Sequence, residues 1–558
     1  MMDRRALLRA ALLGPGTSIL PATVLAARNR GTGPRVDIHA VVAEVGSVSV
    51  ADHFDALWFA GFKHPGDGGG GLYVRTSDTL PLSGNIQSGD GSWWKIAEDV
   101  IWPEMLGARG DGSTSDHVAL GAVADLLDRR GGGTIQLRAG AVYLCEKGWT
   151  LPCGVDLLGP GTLRFTAPDG DGLYCSVSAK RRGQRSRIHD VTFGRSGSNG
   201  GRGLYTEQNN AAFFTQSPSW DIRRCWFRDL DAEYTYPPKA ELLQSHAWAV
   251  AIDVAHSNGT VISDNDVIGN FSPRVPRDGQ MNCIGVRVGT NGTNGVIGVQ
   301  IQHNRLWYLD TALYIGEDVL ALWFEKNECV KCYRGIFAPR DDLKDGEVLQ
   351  ADTRINDNFI TTCTVGIDLS KRQMMHIVAN HLNSDPSYHD NGRGFIGIRL
   401  DSCARVNIRG NKAILAAGHM KWSGGREAIR LNDCKGIVVL EQEVSRYFKD
   451  GIVMSGSTQE CLSANHLMWQ LSGSGHRFED NVTNVDVGTI VYVDAEPANG
   501  RFGFANAINR ASIRIESQPS DPVVTANGQV DMFIDSTDGK LKINLHDGSV
   551  RTILLEND

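Results

Sequence analysis

The sequence lacks the features that define several large classes of protein. Its formal net charge is -8, and this acidic balance argues against a nucleic-acid-binding chain. It contains no glycine-rich nucleotide fingerprint and no Asp-x-Asp-x-Asp calcium loop, so it predicts no cofactor and no metal ion. Stretches with helical periodicity are few, and charged residues make up only 22% of a chain that contains 64 glycines. This composition indicates a β protein with many turns.

Cysteine occurs in an odd number, which disfavours a complete set of disulfide bonds. Three of the eleven cysteines, Cys403, Cys434 and Cys461, fall next to predicted strands. We interpret them as buried thiols stacked in neighbouring coils. Cys329 and Cys332 form a C-x-x-C motif without a second pair, which is a weak signal for zinc.

An apolar run with basic flanks lies at the N-terminus. Residues 1–27 place Arg4 and Arg5 before this run, which ends in small residues, and the pattern predicts an export leader. The start resembles a twin-arginine signal, although Asp3 stands where that signal usually has Ser or Thr; a disordered basic start is the alternative. Residues 14–16 interrupt the run, so we predict an exported protein, periplasmic or secreted, without a membrane span.

One short phrase returns at a fixed interval in the C-terminal half. Its centres, Ile367, Ile398 and Ile429, are 31 residues apart. A phrase that alternates apolar and polar residues at a fixed period predicts a β-solenoid, in which each coil supplies short strands to parallel sheets. A leucine-rich horseshoe is disfavoured because the intervals lack the Leu-x-x-Leu-x-Leu run. Since parallel crossovers are overwhelmingly right-handed, we predict a right-handed parallel β-helix over 101–495.

An asparagine recurs at a matching place in each coil. It lies 14 residues after the glycine of one phrase and 8 residues before the next in the shortest coil, so the bare coil has 22 residues. Asn358, Asn380 and Asn411 hold this place, and Gln442 follows them. Asparagine tolerates left-handed backbone, and its amide can bond the amide of the next coil. The sequence therefore predicts a ladder of stacked asparagines.

A second passage carries a family resemblance. Residues 106–116 read LGARGDGSTSD, and they precede a predicted helix from about Asp116 to Arg130 and three glycines. This combination resembles the entry motif of the pectate-lyase-like superfamily, whose right-handed β-helices occur in phage tailspikes and polysaccharide-degrading enzymes. The resemblance implies a helix that plugs the open end of the solenoid, with Ser115 or Asp116 as its N-cap.

The resemblance also covers both flanks of the repeat. A glycine-rich block within 28–100 is similar to the small β unit that precedes the β-helix in many tailspikes. The C-terminal range 496–558 contains three predicted strands joined by Asp-Gly turns. The predicted organisation is an export signal over 1–27, a β unit over 28–100, the β-helix over 101–495 and a C-terminal β region over 496–558. The tailspike resemblance and the open edges of the C-terminal strands imply a homotrimer.

Each phrase exposes the residue that lies between its two inward-facing apolar residues. Because coils stack in register, these residues line up along one face of the solenoid. We call this line the outward row. It comprises Asp253, Arg287, Tyr314, Phe337, Asp368, Arg399, Arg430 and Val453.

Insertions between the strands are predicted to form walls beside the outward row. Aromatic faces pack on sugar rings and charged groups bind hydroxyls or carboxylates, so the sequence predicts a groove for an extended polysaccharide. The candidate substrate-binding residues are Arg287, Tyr314, Phe337, Asp341, Arg393, Lys421 and Trp422. The candidate catalytic residues are Asp368, Arg399, Arg430, Tyr388, His389 and Asp342.

Two reactions suit such a groove. Elimination on a uronic acid requires a cation beside the sugar carboxylate, for which Arg399 or Arg430 is a candidate, and a base such as Tyr388 or His389. Hydrolysis requires two carboxylates, for which Asp368 and the Asp342 wall are candidates. Stacked arginines repel unless an anion lies between them, which favours an acidic glycan and elimination. Alternatively, Asp368 and Arg399 form a simple surface ion pair. The groove could also belong to a glycan-binding spike that catalyses no reaction.

Overall fold

The structure is a computed structural model. It describes residues 35–79, 83–176, 184–206, 219–231, 246–255, 258–272, 280, 282–289, 296–316, 319–339, 349–384, 394–414, 425–445, 448–469, 471, 473–479, 481–487, 490–493, 512–516, 529–534, 541–544 and 550–552.

A parallel β-helix forms the body of the chain. Among the described residues, 36 strands between Val100 and Val493 belong to one continuous sheet structure. Strands of successive coils pair in parallel, as Val250–Val254 does with Ile284–Val288. The right-handed parallel β-helix that the repeat predicts is confirmed.

The coils contribute their strands to three stacks. The floor stack carries the outward row and comprises Trp149–Pro152, Leu173–Ser176, Arg202–Thr206, Val250–Val254, Ile284–Val288, Thr311–Ile315, Phe395–Asp401, Gly425–Asn432, Phe448–Ser455, His476–Phe478 and the later parts of Glu328–Ala338 and Phe359–Ser370. The second stack comprises Val100–Ile101, Gly133–Gln136, Ser219–Arg223, Val261–Ser263, Gln300–Gln302, Trp323–Glu325, Leu349–Asn356, Arg372–Val378, Ala404–Arg409, Val438–Leu440, Gln459–Ala464, Thr483–Val487 and the first parts of Val155–Phe165 and Arg185–Arg195. The third stack comprises Asp111–Ser115, Val142–Cys145, Trp226–Asp229, Asp266–Ile268, Arg305–Trp307, His381–Ser384, Lys412–Ile414, Glu443–Val444, His466–Trp469, Ile490–Val493 and the remaining parts of the four long strands. Val296–Ile297 and Val319–Leu320 form a separate parallel pair.

The interior is a column of stacked aliphatic side chains. Ile367, Ile398 and Leu400 are fully buried and lie in register from coil to coil. Burying each such side chain contributes about 1.5–3 kcal/mol. The column therefore supplies most of the stabilisation that holds successive coils together.

The small residue that opens each phrase breaks the strand alternation. A Cβ added at Gly366 would lie 2.7 Å from the carbonyl oxygen of Gly397 and 3.2 Å from the buried Leu382. Gly366 therefore faces the interior, like Ile367 after it. The residue before the glycine faces outward, and only Gly or a small residue fits the turn between them.

The predicted asparagine ladder is confirmed. Asn380 Oδ1 accepts hydrogen bonds from the backbone N–H and Nδ2 of Asn358, at 3.1 and 2.9 Å, and Asn380 Nδ2 donates to Ile355 O at 2.8 Å. The ladder runs through Asn265, Asn304, Asn327, Asn358, Asn380 and Asn411. In the coil after Asn411, the backbone N–H of Gln442 donates to His466 Nδ1 at 3.2 Å.

The backbone conformation predicted for the asparagines is wrong. The left-handed residue is the one before each asparagine, such as Asp357 and Ala379, both with φ of +56°. The asparagine itself must direct its amide along the stack, so its neighbour makes the turn.

The N-terminal described region is a mixed sheet followed by the predicted helix. Its strands are Val36–Val41, Ala56–Gly61, Gly71–Thr76, Asn85–Gln87 and Trp93–Ile96, with 3₁₀ helices at Val42–Ser47 and Pro103–Leu106. Helix α1 spans His117–Arg130 and buries Leu120 and Leu127 in the same core as the first coils. Arg130 Nη1 donates to Glu98 O at 3.0 Å, which ties α1 to the segment that follows the sheet.

Asp116 occupies the N-cap position of α1, as expected, but its side chain makes no capping hydrogen bond to the helix. The carboxylate of Asp116 accepts the backbone N–H groups of Arg109 at 2.7 Å and Gly110 at 3.1 Å, so its oxygens hold the preceding loop. Ser115 Oγ bonds His117 Nδ1 at 2.9 Å instead of a helix N–H. The entry motif thus stabilises its own turn and positions the helix indirectly.

The C-terminal strands form an antiparallel sheet. The order is Ser512–Glu516, Gln529–Ile534, Leu541–Asn544 and Val550–Thr552, which includes the three predicted strands and one before them. The ten cysteines whose side chains the structure describes are buried and form no disulfide bonds with one another, which confirms the interpretation as buried thiols. The predicted leader over 1–27 lies outside the described residues. No helix in the described ranges is long and apolar enough to cross a membrane. The domain boundaries stay predictions.

Candidate functional site

The strand register lines up the outward row as the repeat predicts. Phe337 pairs with Asp368, Asp368 with Arg399, and Arg399 with Arg430 in successive coils. Towards the N-terminus, Asp253, Arg287 and Tyr314 follow one another in the same way.

The row also extends beyond the predicted residues. Tyr174 and Tyr205 precede Asp253, and Arg477 follows Val453. The two tyrosines could have been found from the sequence, because each stands in a Gly-Leu-Tyr phrase of the repeated kind.

Solvent access was expected for Asp368, Arg399 and Arg430, and it is found for the two arginines but not for Asp368. Asp253 and Val453 have no exposed surface, and Asp368 is only 3% exposed. Each aspartate is covered by the arginine of the next coil.

Two aspartate–arginine pairs lie along the row. Arg287 donates from Nε and Nη2 to the two oxygens of Asp253, at 2.9 and 2.5 Å. Arg399 binds Asp368 in the same bidentate manner, with a hydrogen bond of 2.7 Å from Nε to Oδ1 and a second one from Nη2 to Oδ2. These hydrogen bonds raise the pKa of both guanidinium groups. Both guanidinium groups are therefore charged at physiological pH.

Aromatic pairs alternate with the ion pairs. Tyr174 and Tyr205 have ring centroids 5.6 Å apart, and Tyr314 and Phe337 meet edge to face at 5.9 Å. All four rings are half-buried. Along the solenoid the order is tyrosine pair, Asp–Arg pair, aromatic pair, Asp–Arg pair.

A second set of outward residues was not predicted from the sequence. Arg334, Glu427 and Asp450 each lie three residues before a member of the outward row, on the same face. Strict alternation would have placed the intervening glycine or alanine outward and missed them. The guanidinium of Arg334 stacks 3.9 Å from the Phe337 ring centroid, so this set adds charge to the row.

Two arginines and three carboxylates form an ion cluster at the C-terminal end of the floor. Arg430 binds Glu427 Oε1 at 2.8 Å and Glu479 Oε2 at 3.0 Å. Arg477 Nη2 lies 3.0 Å from Glu479, 3.5 Å from Glu427 and 3.4 Å from Asp450. Arg399 and Arg430 thus bind different carboxylates of the chain. Their stacking requires no external anion, which removes the main reason to expect an acidic ligand.

The candidate residues on the predicted walls lie outside the described residues. They are Tyr388, His389, Arg393, Asp341, Asp342, Lys421 and Trp422. In chain order, 385–393 and 415–424 connect third-stack strands to floor strands, and 340–348 connects a floor strand to the second stack. Their roles stay predictions.

Three side chains elsewhere have the composition of a metal site. Potential ligand atoms of Asp229, Asp231 and His246 lie within 4.8 Å of one another. We call these residues the Asp–His cluster. It lies where the chain passes from the third stack to the floor strand Val250–Val254.

Comparisons with known proteins return fold-level matches. No protein-family model matches the chain, and no curated protein sequence is significantly similar to it. Tailspike protein 3 of bacteriophage CBA120 is 12% identical, with 86% of this chain and 72% of that one covered and a TM-score of 0.41. The surface adhesin PfbA of Streptococcus pneumoniae is 12% identical, with 82% and 99% covered and a TM-score of 0.43. The A-module of the Azotobacter vinelandii mannuronan C-5 epimerase AlgE4 is 11% identical, with 69% and 95% covered and a TM-score of 0.30. Similarity this low says nothing about activity, and the fold rests on the strand pairings of this chain.

Proposed function

We propose that the chain is an exported carbohydrate-active protein that binds an extended polysaccharide along the outward row and cleaves it there. The observation that carries this proposal is the alternation of aromatic pairs with ion pairs in register along one face. Coils are spaced by about 4.8 Å, so the row presents a new side chain at each step along an extended ligand. Half-buried rings offer faces and edges for sugar rings, and the polar pairs offer hydrogen bonds to hydroxyls.

The arginines are suited to hold sugar hydroxyls in place. Asp368 engages Nε and Nη2 of Arg399, which leaves Nη1 for a ligand, and the Arg399 side chain is 42% exposed. A guanidinium held on two atoms loses little conformational entropy when it binds a third group. The same holds for Arg287 above Asp253.

The reaction we propose is elimination or hydrolysis. Elimination would use Arg399 or Arg430 beside a uronate and Tyr388 or His389 as base. Hydrolysis would use Asp368 together with Asp342. Because chain carboxylates already neutralise both arginines, the structure supports elimination less than the sequence does.

A second candidate function is glycan binding without cleavage. It is favoured by one observation: each charged residue of the row from Asp253 to Arg430 is ion-paired within the described chain. Groups held in this way recognise a ligand but do not readily exchange protons.

The test combines a product assay with aromatic variants. The full chain is incubated with a panel of acidic and neutral polysaccharides, and the ultraviolet absorbance of unsaturated uronate is followed beside the release of reducing ends. The first signal indicates elimination, the second alone indicates hydrolysis, and binding without either indicates the non-catalytic function.

Removal of the aromatic pair locates the binding face. Each ring contributes about 1 kcal/mol, so the double variant Tyr314→Ala, Phe337→Ala should bind about tenfold or more weakly. Phe359→Ala is the matched control, because Phe359 is 40% exposed but lies on the third stack. Equal affinity of the double variant and the wild-type chain contradicts the proposal.

A further inference from the structure

The Asp–His cluster has features that the proposed polysaccharide site does not use. Asp229 ends the strand Trp226–Asp229, Asp231 follows it, and His246 precedes the floor strand Val250–Val254. Residues 232–245 lie between Asp231 and His246 in the sequence, outside the described residues. The cluster joins two points that are far apart in sequence, and this is why no spacing motif revealed it.

Asp229 has a buried oxygen that the chain does not satisfy. The residue is only 3% exposed, and its Oδ1 accepts the Asp231 N–H at 2.7 Å. Oδ2 is buried and has no hydrogen-bond partner among the described residues. A buried carboxylate oxygen without a partner is costly, and a cation bound to it would offset that cost.

The other two ligands are separated by a distance that suits zinc. His246 Nδ1 lies 3.4 Å from Asp231 Oδ2. Atoms that each lie about 2.1 Å from a tetrahedral zinc ion are about 3.4 Å apart. Nδ1 is buried and, within the described part of the chain, has no hydrogen-bond partner that meets the usual geometry.

The surrounding turn fixes Asp231. Ser196 Oγ donates to its Oδ1 at 2.7 Å, and the Gly197 N–H donates to its Oδ2 at 2.7 Å. The carboxylate is therefore oriented before any ion binds.

The same turn also fixes the segment that carries His246. Asn199 Oδ1 accepts the Ala247 N–H at 2.8 Å. Arg195, which is fully buried, holds the turn by donating to Gly170 O at 3.0 Å and Ala167 O at 2.6 Å. Such supporting contacts are typical of metal sites, where outer partners orient the ligands.

One competing cation lies nearby. Arg164 Nη2 is 3.6 Å from Asp231 Oδ1 and donates to Ser196 Oγ at 2.7 Å. It therefore lies beside the oxygen that does not face His246. Oδ2 of Asp231 remains directed towards the imidazole.

We propose that Asp229, Asp231 and His246 bind one Zn²⁺ ion that joins the two ends of residues 232–245. The imidazole favours zinc over calcium or magnesium, which prefer ligand sets made of oxygen atoms. The ion fixes how the chain enters Val250–Val254, the strand that contributes Asp253 to the outward row. Its role is structural and does not depend on the proposed function.

Metal content tests the site directly. The full chain, without a histidine tag, is treated with a chelator, dialysed and titrated with ZnCl₂, with bound metal measured by elemental analysis and affinity by calorimetry. We expect one Zn²⁺ per chain, weaker Mn²⁺ binding, no Ca²⁺ binding and a higher melting temperature when zinc is present. The variants Asp229→Asn and His246→Gln should lose the saturable site.

A variant that keeps all three ligands and a matched control make the test decisive. Ser196→Ala removes a supporting contact and should weaken zinc binding by roughly 10-fold or more without removing a ligand. His189→Gln is the control, because His189 Nε2 lies 3.3 Å from Asp221 Oδ2 and this pair has no third ligand among the residues that the structure describes. We expect zinc binding by this control to be unchanged. The absence of saturable binding, or equal binding by the wild-type chain and both ligand variants, overturns the proposal.

Discussion

Asp368 is covered by the guanidinium of Arg399, so the two residues cannot be replaced independently. Removing the arginine leaves a carboxylate that is only 3% exposed without its partner, whereas removing the aspartate leaves a guanidinium that reaches solvent. Activity of either variant must therefore be interpreted together with its stability.

We predict that Arg399→Ala lowers the free energy of unfolding by about 1–2 kcal/mol. A fully buried pair would cost more, but the Arg399 side chain is 42% exposed and solvent screens the interaction. Denaturation in guanidinium chloride measures the change. Lys435→Ala is the control, because its ion pair with Glu460 is exposed on both sides, and it should have no measurable effect. An Arg399→Ala variant as stable as the wild-type chain would show that the pair is a simple surface contact.

Residues in contact could be predicted only where the repeat fixes their position. Asp368 and Arg399 were identified because both occupy the same place in a 31-residue unit. Glu427 and Asp450 were missed because the small residue after each one turns inward, which shifts the alternation by one. The Asp–His cluster was missed because Asp231 and His246 are brought together by an insertion that has no period.

The asparagine ladder is the element that links the coils outside the aliphatic core. Asn380 accepts two hydrogen bonds from Asn358 and donates to Ile355 O and Asn411 Oδ1, and it has no exposed surface. Its removal would leave several buried polar groups unpaired.

We predict that Asn380→Ala lowers the free energy of unfolding by about 3 kcal/mol, because an unpaired buried group costs about 1–3 kcal/mol. Asn407→Ala on the second stack is the control, since Asn407 is half-buried and outside the ladder. Urea denaturation followed by circular dichroism compares the two. Similar losses in both variants would mean that the ladder has no special role.

The last coils contain a pair of histidines that makes the fold sensitive to acid. Burial lowers the pKa of His466 to about 4, and burial together with the neighbouring His466 lowers the pKa of His476 to about 3. Ser463 Oγ lies 2.9 Å from one ring and 2.8 Å from the other. In the unfolded chain both imidazoles have a pKa of about 6.5.

We predict that stability falls as the pH decreases from about 6.5 towards 4, because the unfolded state binds protons in this window and the folded state does not. Above that window the two histidines have no effect. Thermal melting at several pH values measures the slope of stability against pH. His466→Gln should reduce this slope because it removes one of the two imidazoles. Glutamine suits the position, since Gln442 holds the equivalent place in the preceding coil. A slope unchanged by this substitution would assign the acid sensitivity to other groups.

The whole molecule is predicted to be a trimer. Among the described residues, Ser512–Glu516 and Val550–Thr552 are the outer strands of the C-terminal sheet, and outer strands favour pairing with another chain. Light scattering at micromolar concentration should give three times the mass of the chain, and deletion of 496–558 should give monomers with the far-ultraviolet spectrum of a β protein. A monomeric full chain contradicts the prediction.

The fold could be predicted from the sequence far better than the chemistry could. A period of 22 or 31 residues with an aliphatic centre permits few architectures other than stacked coils. The entry motif indicated α1, although Asp116 proved to hold the loop before the helix and not the helix end. The repeat predicts where the insertions that carry the wall residues occur, but neither the positions of their side chains nor their roles follow from it.

The asparagine ladder also gives the molecule an electrical direction. In every step the earlier asparagine donates and the later one accepts, as Asn265 does with Asn304, so the amide dipoles align and add along the axis. The hydrogen-bearing end of this array points towards the C-terminal coils. The coil after Asn411 carries Gln442, whose backbone N–H donates to a ring nitrogen of His466. A protonated imidazole would present a second N–H group to that donor, so this contact exists only while His466 is uncharged.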